Sequence, residues 1–158
     1  VGSLVAAVKR GRTPLGELRG ALAELLSTGW FQTAREYTFA IGALRERQAW
    51  RDALALASQM RTSAVEPNLI TCNALISTCA KAGQWQAALR LLRELPGAAL
   101  RPDVVSFNAA ISACAVSGRW AHALALFDAL GERRLAPSVV TYGATMRACG
   151  GASRWDLA

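Results

Sequence analysis

Four cysteines, a single histidine and two asparagines set in alanine-rich stretches are the residues whose types and spacing bear on chemistry. Cys72, Cys79, Cys114 and Cys149 include no C-x-x-C pair and no spacing suited to a metal site or a disulfide framework. Cys79, Cys114 and Cys149 stand 35 residues apart and read as equivalent small packing residues. His122 is flanked by Ala121 and Ala123, with no carboxylate or serine placed to join it, so it reads as a helix-surface histidine rather than a general base. The chain is therefore expected not to be an enzyme, to hold no metal and no cofactor, and to take no small-molecule substrate. Asn73 and Asn108 are more informative. Asparagine is a mediocre helix former, and its recurrence in a helical, alanine-rich setting asks for a reason. Each asparagine opens a line at i, i+4 and i+7, Asn73 with Ser77 and Ala80, and Asn108 with Ser112 and Ala115. Such a small, polar line lets a strand approach an amide that both donates and accepts hydrogen bonds.

The elements that must position these residues are helices. Of 158 residues 32 are alanine, the best helix former, and the 53% of hydrophobic residues excludes a disordered chain. The uncharged stretch 104–118 is only 15 residues long and contains serine and asparagine, too short and too polar to cross a bilayer, so no membrane partner is expected. The net charge is +7, from 16 arginines, Lys9 and Lys81 against 11 acids, and the excess is spread evenly along the chain. A long polyanion would suit that distribution, as would arginine on solvated helix faces. The sequence starts at Val1, so any targeting segment is expected to have been removed.

Internal periodicity organises everything else. Trp50, Trp85, Trp120 and Trp155 fall at intervals of 35, as do Pro67, Pro102 and Pro137, and Ala53, Ala88, Ala123 and Ala158. Ile41, Ile76, Ile111 and Met146 share the interval, and so do Tyr37, Cys72, Phe107 and Tyr142. Each unit predicts two helices. After the proline, Asn68, Asp103 or Ser138 serves as N-cap. A buried stripe follows at i, i+3, i+4 and i+7, as in Phe107, Ala110, Ile111 and Cys114, and Gly83 or Gly118 ends the helix. The second helix opens on tryptophan with a stripe such as Trp120, Ala123, Leu124, Phe127 and Leu130, in which the indoles are expected to pack between helices. A two-helix hairpin cannot bury both stripes alone, so neighbouring units must stack. The predicted divisions are a degenerate or partial unit over 1–33, full units over 34–68, 69–103 and 104–138, and a truncated unit over 139–158. Leu15, Leu18, Leu22 and Leu25 keep a helical stripe in the first of these, and 1–12 reads as a worn first helix.

The segments PNLITCNALISTCAKAGQW and PDVVSFNAAISACAVSGRW resemble pentatricopeptide repeats over 34–158. The resemblance implies an all-α fold, a right-handed alpha-alpha superhelix that is a solenoid of two-helix repeats. It also implies a single-stranded RNA partner read one base per unit in a mitochondrion or chloroplast, for transcript processing, stability or translation. The reading pairs it implies are Thr38 with Asn68, Asn73 with Asp103, and Asn108 with Ser138. The implied base-sandwiching aliphatics are Ile70, Val105 and Val140, and Lys81 matches a position that could touch phosphate. In order the pairs imply adenine, uracil and a pyrimidine, cytosine before uracil, with the strand running 5′ to 3′ from the N- to the C-terminus. Arg35 and Gly143 depart from the pattern, in place of a sandwiching aliphatic and of the early polar residue. A scaffold that binds other proteins or peptides, and the RNA-binding part of a larger enzyme, are the competing expectations.

Overall fold

The computed structural model describes residues 5, 6, 8 and 13–151. From Leu15 onward these form α1 (Leu15–Ser27), α2 (Ala34–Arg45), α3 (Trp50–Thr62), α4 (Leu69–Lys81), α5 (Trp85–Glu94), a 3-10 turn (Pro96–Ala98), α6 (Val104–Val116), α7 (Trp120–Glu132) and α8 (Val139–Gly151). No strand occurs among the described residues. Val5, Ala6 and Val8 are also helical; the remainder of the worn helix expected over 1–12, Lys9, Trp155 and Ala158 lie outside the described residues.

The helix starts follow the capping chemistry. Asn68 Oδ1 accepts from the Thr71 amide at 2.9 Å, and Asp103 Oδ1 accepts from the Ser106 amide at 2.8 Å. These bonds satisfy donors that have no intrahelical partner. At α2 the reciprocal half of the arrangement appears, with Glu36 Oε2 accepting from the Thr33 amide at 2.8 Å. The helix ends share one device. First helices close on the left-handed residues Gln48, Gly83 and Gly118, and second helices on Gly29, Ala64, Ala99 and Arg134. The next amide then reaches back to a carbonyl five residues earlier: Val65 to Met60 at 3.0 Å, Leu100 to Leu95 at 3.0 Å and Leu135 to Leu130 at 3.1 Å. Those apolar residues fold onto the core, which fixes where each chain segment leaves its helix.

Helices α2, α4, α6 and α8 lie side by side as one layer. Helices α3, α5 and α7 form a second layer, each against its own first helix and the one that follows. This is the expected all-α solenoid of two-helix units. Ile41, Ile76 and Ile111 are fully buried between first helices. The second helices bury more than one stripe: Leu56 and Leu91 are buried beside the residues expected, because these helices wedge between two first helices. Trp50, Trp85 and Trp120 pack against the core but are only half-buried. The Trp85 ring lies 4.8 Å from the exposed His122 ring, so that histidine lies at a seam between second helices.

Cys79, Cys114 and Cys149 are buried at equivalent places, and burial pushes the Cys79 and Cys114 thiols up to about 11. No described helix is long and apolar enough to cross a membrane.

Candidate nucleic-acid interface

The layer of first helices exposes an open groove of about 610 Å³. Thr38, Asn73 and Asn108 line it from successive first helices, together with Ile70, Val105 and Val140. The three aliphatics are 69%, 59% and 59% exposed, unusual for side chains of their type on a helix whose other face is core. Helical spacing explains the split. Asn73 and Ile76 sit one turn apart on the same helix, Ile76 within the core stripe and Asn73 at its edge, so one element carries both a core stripe and a groove line. Ser77, Ala80 and Ser112 line the groove beside the asparagines and keep it open.

The closing residues Asp103 and Ser138 lie behind the asparagines, each bonded to the asparagine of its own unit. Asn73 Nδ2 donates to Asp103 Oδ1 at 3.1 Å, and Asn108 Nδ2 donates to Ser138 Oγ at 3.1 Å. A third residue completes each group. Ser106 Oγ donates to Asn73 Oδ1 at 2.6 Å, and Thr141 Oγ1 donates to Asn108 Oδ1 at 2.6 Å. Both hydroxyl residues are fully buried. In the first pair Thr38 and Asn68 do not touch directly; Thr71 bridges them, 2.7 Å from the Thr38 hydroxyl and donating to Asn68 Oδ1 at 3.0 Å. Thr71, Ser106 and Thr141 recur at intervals of 35, three residues after each N-cap, and no site role was expected of them. That hydroxyl spacing was the signal available in the sequence.

The bonds orient the amides. An asparagine has two N–H donors and two carbonyl lone pairs; one of each is engaged within the group, leaving one donor and one acceptor for the groove. Burial raises the Asp103 carboxyl, but the Ser106 amide and hydroxyl and the Asn73 amide outweigh it and hold it below the ordinary carboxylate value. Asp103 is thus an anion at neutral pH, an acceptor behind the amide.

Lys81 lies in an adjoining hollow with Arg45, Ser77 and Val116 rather than in the groove itself. Its Nζ is 2.7 Å from Glu46 Oε2, the residue one unit earlier, and this ammonium, with Arg45 also at hand, holds the Glu46 carboxyl below its usual value. Any phosphate contact from Lys81 competes with that ion pair. Among the described residues no three histidine, cysteine or acidic side chains gather as a metal site would require.

The comparisons with known proteins agree with this architecture. The PPR repeat family matches residues 67–115 and 102–151, and the pentatricopeptide repeat domain matches residues 37–82. No curated protein sequence matches significantly. Among solved structures, maize PPR10 superposes with a TM-score of 0.79 at 30% identity, over 98% of this chain and 22% of that one. PPR10 in complex with an 18-nt psaJ RNA element gives 0.73 at 28% identity, over 96% of this chain and 25% of that one. The PPR domain of Arabidopsis thaliana protein-only RNase P 1, in complex with tRNA, shares the fold with a TM-score of 0.75 at 14% identity, over 98% of this chain and 81% of that one. The chain spans about a quarter of the length of PPR10. With its matched repeats, its two layers of helices and its groove line at a 35-residue interval, the chain belongs to the pentatricopeptide repeat family.

Proposed function

We propose that this chain is a sequence-specific single-stranded RNA-binding module, without enzymatic activity of its own, that acts on transcripts of a mitochondrion or chloroplast in their processing, stability or translation. The observation that carries the reading is the repeated group of groove residue, closing residue and buried hydroxyl, bracketed by exposed aliphatics. The occurrence of PPR10 in complex with an RNA element supports it.

A base set between Ile70 and Val105 meets the free half of the Asn73 amide, and one between Val105 and Val140 meets that of Asn108. Either pyrimidine satisfies an amide, since uracil offers a donor beside an acceptor and so does cytosine. The closing residue separates them. Anionic Asp103 only accepts, so it favours the N3–H of uracil and repels the N3 lone pair of cytosine. The Ser138 hydroxyl can donate to that lone pair, which suits cytosine. Thr38 has a shorter side chain and leaves space for a purine, giving A-U-C along the three pairs. Each base contributes on the order of 1–3 kcal/mol, so three pairs bind weakly.

Titration of the ¹⁵N-labelled chain with an RNA containing A-U-C tests this. The side-chain amide signals of Asn73 and Asn108 should shift, more than with a scrambled RNA of equal composition, and binding should weaken as salt rises through counterion release. Equal shifts with both RNAs, or none with either, would overturn the reading.

A further inference from the structure

We propose that Arg147 reads a fourth base in the last unit, selecting one whose edge carries two adjacent acceptors, guanine through O6 and N7 or cytosine through O2 and N3. The proposal rests on the RNA-binding reading above and assigns specificity where its pattern breaks. In α8 the place held by Thr38, Asn73 and Asn108 in earlier units is taken by Gly143, which has no side chain to read with. One turn later Arg147 replaces the small residues Gly42, Ser77 and Ser112, which line the groove in the earlier units. Positions i and i+4 share a helix face, so an arginine there reaches the gap left by the glycine. The structure shows it doing so: Arg147 Nη1 lies 3.9 Å from where a Cβ on Gly143 would sit. The guanidinium thus occupies the level at which the amides of Asn73 and Asn108 stand. Arg147 is exposed, and Val140, the aliphatic that would bracket the base on one side, is 59% exposed.

The chemistry of the replacement differs from that of an amide. A guanidinium is a flat fork of donors with no acceptor. Uracil separates its two carbonyls by N3–H, and adenine alternates donor and acceptor on both of its edges, so neither accepts a fork. Guanine and cytosine each present two neighbouring acceptors, and paired contact with guanine is the commonest specific use of arginine on bases. The sequence selected becomes A-U-C followed by G or C.

The intact 158-residue chain can be titrated with four RNAs that share A-U-C and differ only at the fourth base. Binding should be about fivefold tighter with G or C than with U or A, the low end for a bidentate contact. Arg147→Lys keeps the charge but not the fork, and should level the four. The double exchange Gly143→Asn with Arg147→Ser restores an amide and should favour the pyrimidines, U now included; no backbone crowds a Cβ at Gly143. Equal binding of all four RNAs by the unaltered chain, or an unchanged preference in Arg147→Lys, overturns the proposal and leaves at most a phosphate contact. If replacing U by A at the second base also has no effect, RNA reading itself fails. If that replacement weakens binding while the fourth base is indifferent, only the role of Arg147 falls.

Discussion

Ser106 is the residue on which the central group turns. It is fully buried, and its hydroxyl stands 2.6 Å from Asn73 Oδ1 and 2.8 Å from Asp103 Oδ1. Removing it takes away the one hydroxyl proton that the asparagine carbonyl and the carboxylate share. Ser106→Ala is therefore expected to cost about 1–2 kcal/mol, measured by urea denaturation. It should also loosen the Asn73 amide, so that affinity for a pyrimidine at the second base declines while that at the third is kept. A loss of stability below about 0.3 kcal/mol would mean that the hydroxyl does not hold the group. The asparagines themselves were legible in the sequence, because a poor helix former repeated at one interval is conspicuous. Their buried partners were not, because a serine or threonine in a helix's first turn has an ordinary local explanation in capping. Only the contact across 33 residues distinguishes the two.

The helices were legible to within a residue or two, since proline and the N-caps mark the starts and the tryptophans open the second helices. The ends of the second helices were harder to see. Ala64, Ala99 and Arg134 hold the left-handed conformation that glycine holds at Gly29, with φ of 57°, 57°, 56° and 67°. No residue type announces that turn; the hydrogen bond from the next amide and the apolar anchors Val65, Leu100 and Leu135 impose it. The conformation strains a residue with a Cβ by roughly 1–2 kcal/mol, partly offset by the greater freedom of glycine in the unfolded chain. Ala64→Gly combined with Ala99→Gly should accordingly stabilise the protein by about 1 kcal/mol or somewhat more, raising Tm by a few degrees. A fall in Tm in calorimetry would show that the caps are relaxed. A single stripe on each second helix was the other incomplete expectation. A helix lodged between two neighbours needs a wider apolar arc than one resting on a single partner, which is why Leu56 and Leu91 are buried as well.

Across the whole molecule, equivalent residues differ in worth according to their place in the stack. Ile111 is 0% exposed and Met146, its counterpart one unit on, is 53% exposed. Ile111→Ala is expected to cost about 2–5 kcal/mol and Met146→Ala under about 1 kcal/mol, compared by denaturation under identical conditions. Similar losses at both would show that the described edge of the array is packed like its interior. The stack also fixes how reading is divided between units. Asn73 and Asp103 stand near the start and at the close of one 35-residue unit, but the hydroxyl that orients the amide comes from Ser106, in the first turn of α6 and so in the next unit. The letter thus leans on the unit that follows it. A genetic exchange that inserts, deletes or swaps one 35-residue block at its helix boundaries carries the reading pair but not the hydroxyl that orients it. At each junction the moved pair is set by whichever serine or threonine the next block supplies, so a recombining array keeps its letters only where that hydroxyl follows.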